Sequence, residues 1–292
     1  MTGTAARGDA PDWAPTPLMP QAIGRAATLA LHDELALSPK PGLVTLVDRG
    51  SHDDMDAHTF VRSLFALRGY FVRIAGLGAV NAPFEALERC GIEAEARMFA
   101  ATGGINTHRG AIFTLGLVCA AAGAAVGAGR RPTPAALRHT LLQHWGDALA
   151  VRATRPSALP GGIAARRHGL RSASAEAALG LPVLFETALP AMQAATDREL
   201  PRQHALLDTL FHVIAVMDDS NLAHRGGLEG LRHAQHAASG FLAAGGAARP
   251  GGVAAACDIG RDFVRRRLSP GGAADTLAAA CFVARIGTGH GA

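Results

Sequence analysis

Three polar clusters contain the side chains of this sequence that are best suited to chemistry. They are residues 38–56, 103–110 and 218–227. The chain has 28 lysine and arginine residues, of which only Lys40 is a lysine, and two of its three asparagines are Asn106 and Asn221. Because residue types that the chain otherwise avoids occur inside the clusters, we expect these positions to be functional. Gathered in space, the clusters predict an active site for a phosphorylated substrate.

The first cluster combines the lone lysine with a run of acidic side chains. Prolines on both sides of Lys40 exclude a helix and hold the backbone extended, which presents the ammonium for a point-charge contact such as a phosphate. Asp53 and Asp54 fall in the first turn of a helix expected to open at residues 50–51, and such oxygen ligands suit Mg²⁺. Capping that helix and matching its dipole is the alternative role for these acids. The other polar members are Arg49, Ser51, His52 and Asp56.

The second cluster is a glycine-rich turn that leads into a wholly apolar helix. Backbone N–H groups at Gly103 and Gly104, before the positive end of a helix dipole, predict an anion site. An ordinary helix–helix connection is the alternative for a Gly-Gly turn. The side chains appended to it favour function, because they add polar groups directly before the helix. They are Asn106, Thr107, His108 and Arg109.

The third cluster places acidic side chains at the end of a predicted helix. Asp218 continues the apolar stripe that includes Leu207, so we expect its carboxylate to point inward. An inward carboxylate is costly unless it is paired, hydrogen-bonded or bound to a metal, and a buried ion pair with an arginine is the alternative. Glu34 raises the same question, since it lies on the apolar stripe of an earlier helix. The other polar members are Asp219, Asn221, His224 and Arg225.

Helical spacing of the apolar residues, with no convincing period-two alternation, predicts an all-α fold. We expect a single globular catalytic domain of buried Ala- and Leu-rich helices over residues 20–289, after a flexible tail over residues 1–19. The predicted helices lie near residues 23–34, 60–74, 85–101, 110–128, 137–149, 173–193, 207–218, 228–243, 255–268 and 273–286. Loops are expected at residues 127–134, 156–162 and 245–252, and a helix start at residues 269–275.

Composition narrows the function classes. The net charge is +4 and aromatic residues make up 5% of the chain. Since the arginines are scattered and no aromatics alternate with them, a nucleic-acid partner is disfavoured. The longest apolar run, residues 111–126, is short for a membrane span and predicts a buried helix. Four separated cysteines predict free thiols, three of them in apolar helical context, and the absence of an N-terminal apolar signal core favours a cytoplasmic protein.

These motifs together resemble the triphosphoribosyl-dephospho-coenzyme A synthase family. The resemblance runs in the family's order from residue 34 to about residue 280. It departs from the family pattern at residues 172–177, where an expected arginine is missing, and at His168, where tyrosine is expected. The matching elements are Glu34 with Pro39-Lys40-Pro41-Gly42-Leu43-Val44, then Gly50-Ser51-His52 with Asp54-Met55, Gly104-Ile105-Asn106-Thr107-His108-Arg109-Gly110, Asp219-Ser220-Asn221 with His224-Arg225-Gly226-Gly227, and Ser269-Pro270-Gly271-Gly272-Ala273-Ala274-Asp275.

The resemblance implies transfer of the triphosphoribosyl group of ATP to the 2′-hydroxyl of 3′-dephospho-coenzyme A, with release of adenine. The product would reach an acyl-carrier subunit of citrate lyase or malonate decarboxylase through a phosphoribosyl-dephospho-CoA transferase. A Mg²⁺-dependent hydrolase of ribosyl N-glycosidic bonds is the alternative function.

For this chemistry we assign roles to the polar side chains by residue type and expected burial. Glu34 or Asp218 would act as the base or stabilise the sugar cation, and His52 and His108 are the candidate acids. Mg²⁺ would lie on Asp53, Asp54 or Asp219. The substrate- and phosphate-binding candidates are Lys40, Arg49, Ser51, Gly104, Asn106, Thr107, Arg109, Asn221 and Arg225.

Overall fold

The structure, a computed structural model, describes residues 19–287. That part of the chain contains twelve α-helices and no strand, so the all-α prediction is confirmed. A π-helical turn, Val183–Ala188, and a 3₁₀ turn, Gly246–Ala248, accompany them. The helices are α1 Pro20–Ala36, α2 Ala57–Ala79, α3 Phe84–Thr102, α4 Arg109–Gly127, α5 Pro134–Thr154, α6 Pro160–His168, α7 Ala173–Ala178, α8 Leu189–Asp197, α9 Arg202–Val216, α10 Ser220–Ala243, α11 Gly252–Arg265 and α12 Gly271–Gly287.

Helices α2 and α4 run side by side in the same direction at very short range. A Cβ added to Gly78 would lie 2.0 Å from the carbonyl oxygen of Ala120, and one added to Gly123 would lie 2.0 Å from that of Ala75. Only glycine permits this backbone approach. The close contact fixes the N-terminal ends of both helices next to each other, where polar residues of the first and second clusters lie.

Four helix ends meet on one side of the bundle. The N-terminus of α12 packs against those of α4 and α10, and the C-terminal end of α1 lies beside them, as the side-chain contacts below show. Positive helix ends favour anionic groups. The loop at residues 37–56 folds onto the same region. A Cβ added to Gly42, which has a φ of +69°, would lie 2.1 Å from the carbonyl oxygen of Leu268.

Several predicted boundaries are wrong. The helix predicted at residues 173–193 is broken after α7, because Gly180 and Leu181 have positive φ and Pro182 cannot continue a hydrogen-bonded turn. Part of the loop predicted at residues 156–162 is the start of α6. Helix α2 begins at Ala57 rather than at residues 50–51, so Asp53 and Asp54 precede it.

Other expectations agree with the described residues. Helix α4 is long and apolar enough to span a membrane, but most of it is buried inside the protein, as predicted for residues 111–126. All four cysteines are free thiols, and Cys90, Cys119 and Cys281 are buried. The flexible tail predicted for residues 1–19 lies, apart from Met19, outside the described residues.

Candidate active site

The segment at residues 269–275 connects the three polar clusters. Ser269 lies 2.9 Å from the ring of His52 in the first cluster. The backbone N–H of Ala273 donates to Asp219 in the third cluster, over 3.0 Å. Asp275 accepts a hydrogen bond from the backbone N–H of Ala111, directly after the second cluster. The structure therefore brings all three clusters together around a segment that the sequence presented as an ordinary helix start.

Lys40 and Glu34 form a buried ion pair, with 5% and 4% of their surfaces exposed. Burial raises the pKa of the Glu34 carboxyl and lowers that of the Lys40 ammonium, and the attraction between the two charges opposes both shifts. The carboxylate at the end of α1 is thus inward, as predicted. The Lys40 ammonium is paired with this carboxylate and is buried, so it does not lie open to the phosphate that the sequence predicted as its partner.

His108 is the buried end of a chain of hydroxyl groups. Thr107 Oγ1 donates to Ser63 Oγ over 2.7 Å, and Ser63 Oγ lies 2.7 Å from His108 Nδ1. The Ser63 proton finds its acceptor in His108 Nδ1, since Thr107 and His108 are the only hydrogen-bond partners of Ser63 among the described residues and Thr107 acts as the donor. This arrangement leaves the neutral ring with a proton on Nε2. That buried Nε2 has no partner among the described residues.

The predicted role of His108 as an acid does not agree with its surroundings. Burial, reinforced by the charge of Lys40, lowers the pKa of His108 to about 3. At neutral pH the ring is therefore uncharged and holds its Nε2 proton as a hydrogen-bond donor. Such a group can orient a substrate oxygen or nitrogen, but it has no excess proton to transfer.

Asp275 supplies a hydrogen-bond acceptor for the N-terminus of α4, because it accepts from the backbone N–H of Ala111. A Cβ on Gly110 would lie only 1.9 Å from Asp275 Oδ2, so any side chain at this position would displace the half-buried carboxyl from the helix start. Burial raises the pKa of Asp275 well above its ordinary value, and the charges of Glu34 and Asp219 raise it further. The raised pKa favours the protonated form of this carboxyl, which can donate its proton to a substrate.

Asp219, rather than Asp218, is the inward carboxylate of the third cluster. Helix α9 ends at Val216, so Asp218 leaves the apolar stripe and accepts a hydrogen bond from the backbone N–H of Arg171. Asp219 is 1% exposed, and its oxygens accept backbone N–H groups from Asn221 at 2.8 Å and from Ala273 at 3.0 Å. It therefore caps α10 and α12 simultaneously, which leaves it poorly placed to bind the predicted Mg²⁺.

His52 is held between an arginine and a serine. Arg225 Nη2 donates to His52 Nδ1 over 3.1 Å, and Arg225 Nη1 donates to the carbonyl oxygen of Ser51 over 3.1 Å. Burial and the adjacent Arg225 charge lower the pKa of His52 to about 4. With both ring nitrogens engaged, His52 orients the exposed Arg225, and it is poorly suited to the acid role that its residue type predicted.

Asp53 and Asp54 are exposed and lie near Arg225. Burial lowers the pKa of the Arg225 guanidinium, and the charges of the two carboxylates oppose that shift. Within residues 19–287 no three His, Cys, Asp or Glu side chains gather to hold a metal ion. Mg²⁺ commonly takes one or two carboxylates and completes its shell with phosphate oxygens and water. The two exposed carboxylates fit that pattern, whereas the buried Asp219 does not.

Three of the other predicted binding residues contact groups of the protein itself, and the remaining two are exposed. Arg109 pairs with Glu95 of α3 at 2.9 Å, and its guanidinium stacks over a phenylalanine ring. Asn106 Oδ1 accepts the backbone N–H of Arg109 over 3.3 Å. Arg49 is exposed and contacts Asp56 at 3.3 Å, the residue that caps α2. Gly104, with φ +87°, and Asn221 are exposed.

Two contributors were not assigned from the sequence. Asp275 is the last residue of the motif at residues 269–275, but an acid near a helix start is explained equally well by helix capping. Ser63 interrupts the apolar face of α2 and is fully buried. A hydroxyl on an apolar helix face was the available signal, although the partner, 45 residues away, comes only from the fold.

A protein-family model described as CitG, ATP:dephospho-CoA triphosphoribosyl transferase, matches residues 20–292. The match includes all twelve helices and every cluster described above. No solved structure matches the chain.

Proposed function

This chain belongs to the CitG family of ATP:dephospho-CoA triphosphoribosyl transferases, and we propose that transfer occurs where the N-termini of α4, α10 and α12 meet the end of α1. The observation that carries this assignment is the position of the half-buried Asp275 carboxyl beside the Glu34–Lys40 pair. Together these residues supply a proton donor and a proton acceptor in one region of the molecule. The family match favours transfer over the hydrolase alternative.

The reaction breaks the bond between C1′ of the ATP ribose and adenine and forms a bond from C1′ to the acceptor hydroxyl oxygen. The bonding electrons leave with adenine, and C1′ acquires oxocarbenium character, as in glycoside cleavage. We assign to Asp275 the proton that a ring nitrogen of the departing adenine receives, because burial and its acidic neighbours favour the protonated form of this carboxyl. His108 Nε2–H donates a hydrogen bond to the substrate without titrating.

The acceptor's 2′-hydroxyl must lose a proton as it attacks. Glu34 takes that proton, since its carboxylate is buried beside the Lys40 ammonium, and burial raises its pKa and so its affinity for a proton. Lys40 thus acts through Glu34, and its positive charge also disfavours protonation of His108. After transfer Glu34 holds one additional proton and Asp275 lacks one. Proton exchange with solvent returns both groups to their starting states.

Arg225 is the guanidinium that we assign to the triphosphate. It is exposed at the first turns of α10 and is oriented by His52 and by a backbone carbonyl. Mg²⁺, when bound by Asp53 and Asp54, would neutralise phosphate charge at the same place. From the resemblance we further propose that the product passes in the cytoplasm to a phosphoribosyl-dephospho-CoA transferase that serves citrate lyase or malonate decarboxylase.

Adenine release measured by chromatography tests the proposal. The protein with ATP and Mg²⁺ should release adenine only when dephospho-CoA is present, in a one-to-one ratio with the transferred product. Glu34→Gln should lower the rate by about 100-fold or more, since a positioned base contributes 10²–10⁴-fold. Equal adenine release without the acceptor would show the hydrolase instead, and full activity of Glu34→Gln would exclude Glu34 as the base.

A further inference from the structure

A cavity of about 520 Å³ opens between α8, α9 and α12. Its volume lies within the range of small-molecule sites. It is separate from the residues assigned to catalysis but borders on them, because the thiol of Cys281 forms part of its wall and Cys281 and Glu34 are close enough for the acid to raise the thiol's pKa. The cavity therefore lies near the proposed base.

Three further contacts connect the cavity to the catalytic region. Asp33, the neighbour of Glu34 on α1, pairs at 2.5 Å with Arg202 and at 2.5 Å with Arg285, and both arginines line the cavity. Gln203 of α9 donates a hydrogen bond to the carbonyl oxygen of Ser38, two residues before Lys40. These contacts fix the position of one wall of the cavity relative to the Glu34–Lys40 pair.

The charges around the cavity cancel. The cations Arg202 and Arg285 are matched by Asp33 between them and by Glu199, an exposed carboxylate of the lining. A triphosphate requires a net excess of cationic donors, which this balance does not give. The remaining lining is largely apolar, with Met192, Leu206 and Ala284 among its members. The chemistry suits an uncharged ligand that has both apolar groups and amides.

We propose that this cavity binds the pantetheine arm of the acceptor, an inference that rests on the proposed function. The arm is uncharged and carries amide groups, a hydroxyl and geminal methyl groups. Guanidinium N–H groups of Arg202 can donate to the amide carbonyls, and the Glu199 carboxylate can accept from an amide N–H or the hydroxyl. The apolar wall covers the methyl and methylene groups. The diphosphate that joins this arm to the acceptor's adenosine would then lie outside the cavity, and the ribose would extend from it towards Glu34.

This arrangement makes the cavity the element that distinguishes the acceptor from the donor. Both substrates contain adenosine, so contacts to adenosine alone cannot separate them. Binding energy from a remote part of a substrate can be used to position its reacting group. The arm cavity is thus expected to set the Michaelis constant for dephospho-CoA and to leave that for ATP unaffected.

Ala284→Phe fills the cavity from α12 and tests the proposal, with Ala254→Phe on the exposed face of α11 as the matched control. The KM for dephospho-CoA should rise about tenfold or more in Ala284→Phe while the KM for ATP stays the same. Phosphopantetheine should compete with dephospho-CoA in the unaltered protein and lose that inhibition in the variant. The control should behave as the unaltered protein in both measurements.

The opposite results overturn the inference. A rise in the KM for ATP would place the donor in the cavity, and unchanged constants with unchanged inhibition would leave it without a substrate role. If Ala284→Phe does not fold, as judged by circular dichroism, Arg202→Gln gives the same test from an exposed position. If the unaltered protein releases no adenine, the proposed function fails, and calorimetric binding of dephospho-CoA to the same variants still decides the role of the cavity.

Discussion

Replacing Lys40 by methionine should destabilise the protein in a manner that depends on pH. The side chains of Lys40 and Glu34 are 1% and 5% exposed, so removal of the ammonium leaves a carboxylate buried without its partner. Breaking a buried pair in this way costs about 3–5 kcal/mol. Glu34 limits the cost by binding a proton, and that proton must be taken from solvent at a pH above 4.5, the ordinary pKa of the group in the unfolded chain.

The magnitude follows from the distance between the pH and that ordinary pKa. Each pH unit is worth about 1.36 kcal/mol, so protonating Glu34 costs about 3.4 kcal/mol at pH 7 and about 1.4 kcal/mol at pH 5.5. The sign follows because burial, no longer opposed by Lys40, raises the folded-state pKa of Glu34 further in the variant. The stability that comes from the protonated group is fully present below pH 4.5 and is lost as the pH rises. Lys40→Met should therefore be more strongly destabilised at pH 7 than at pH 5.5.

Urea unfolding at the two pH values, followed by circular dichroism, measures the effect. The double variant Glu34→Gln/Lys40→Met contains no group to protonate at this place and should lose the added pH dependence. Arg49→Met, which removes an exposed cation, should unfold as the unaltered protein does. A Lys40→Met variant that loses less than about 1 kcal/mol, equally at both pH values, would refute the burial and pairing argument.

Three further predictions concern the neighbouring groups. Gly110→Ala should lower kcat about 100-fold, because the added methyl group displaces Asp275. The control Gly76→Ala, whose Cβ would meet open space, should stay active and gain about 1 kcal/mol of stability. Equal kcat values for the two variants would contradict the packing at Gly110. Asp219→Ala should cost about 2 kcal/mol or more in urea unfolding because two helices lose a cap, against about 1 kcal/mol at most for Asp218→Ala; the reverse order would restore Asp218 as the inward acid. Because burial lowers the pKa of His108 to about 3, stability should fall by about 1.4 kcal/mol per pH unit as the pH drops below 6.5, and His108→Gln should remove that component; identical slopes for the two proteins would argue against a buried neutral ring.

The sequence predicted the helical class, the three clusters and the inward position of Glu34, because apolar periodicity and residue type are local properties. It misplaced the inward acid of the third cluster, since one residue decides whether a carboxylate continues a helix stripe or caps the next helix, as Asp218 and Asp219 show. It also left Asp275 without a role. Which groups meet, and hence which pKa values shift, depends on contacts between distant helices.

Residue type alone assigned the acid role to histidines, and the fold changes that assignment. His108 and His52 have ordinary pKa values near 6.5 when exposed, yet burial and neighbouring cations keep both neutral here. Burial, reinforced by the charges of Glu34 and Asp219, instead raises the pKa of the Asp275 carboxyl. The exchange of roles between imidazole and carboxyl is an electrostatic result of packing that no single segment of the sequence contains.

The most direct test of the account is the dependence of adenine release on Asp275 and on the basicity of the leaving group. Asp275→Asn should lower the rate with ATP by about 100-fold or more, since the departing adenine loses its proton donor. With the triphosphate of 6-chloropurine riboside, whose base leaves with less need of a proton, the same substitution should have a much smaller effect. Equal losses with both donors, or full activity with ATP, would contradict Asp275 as the acid of this transferase.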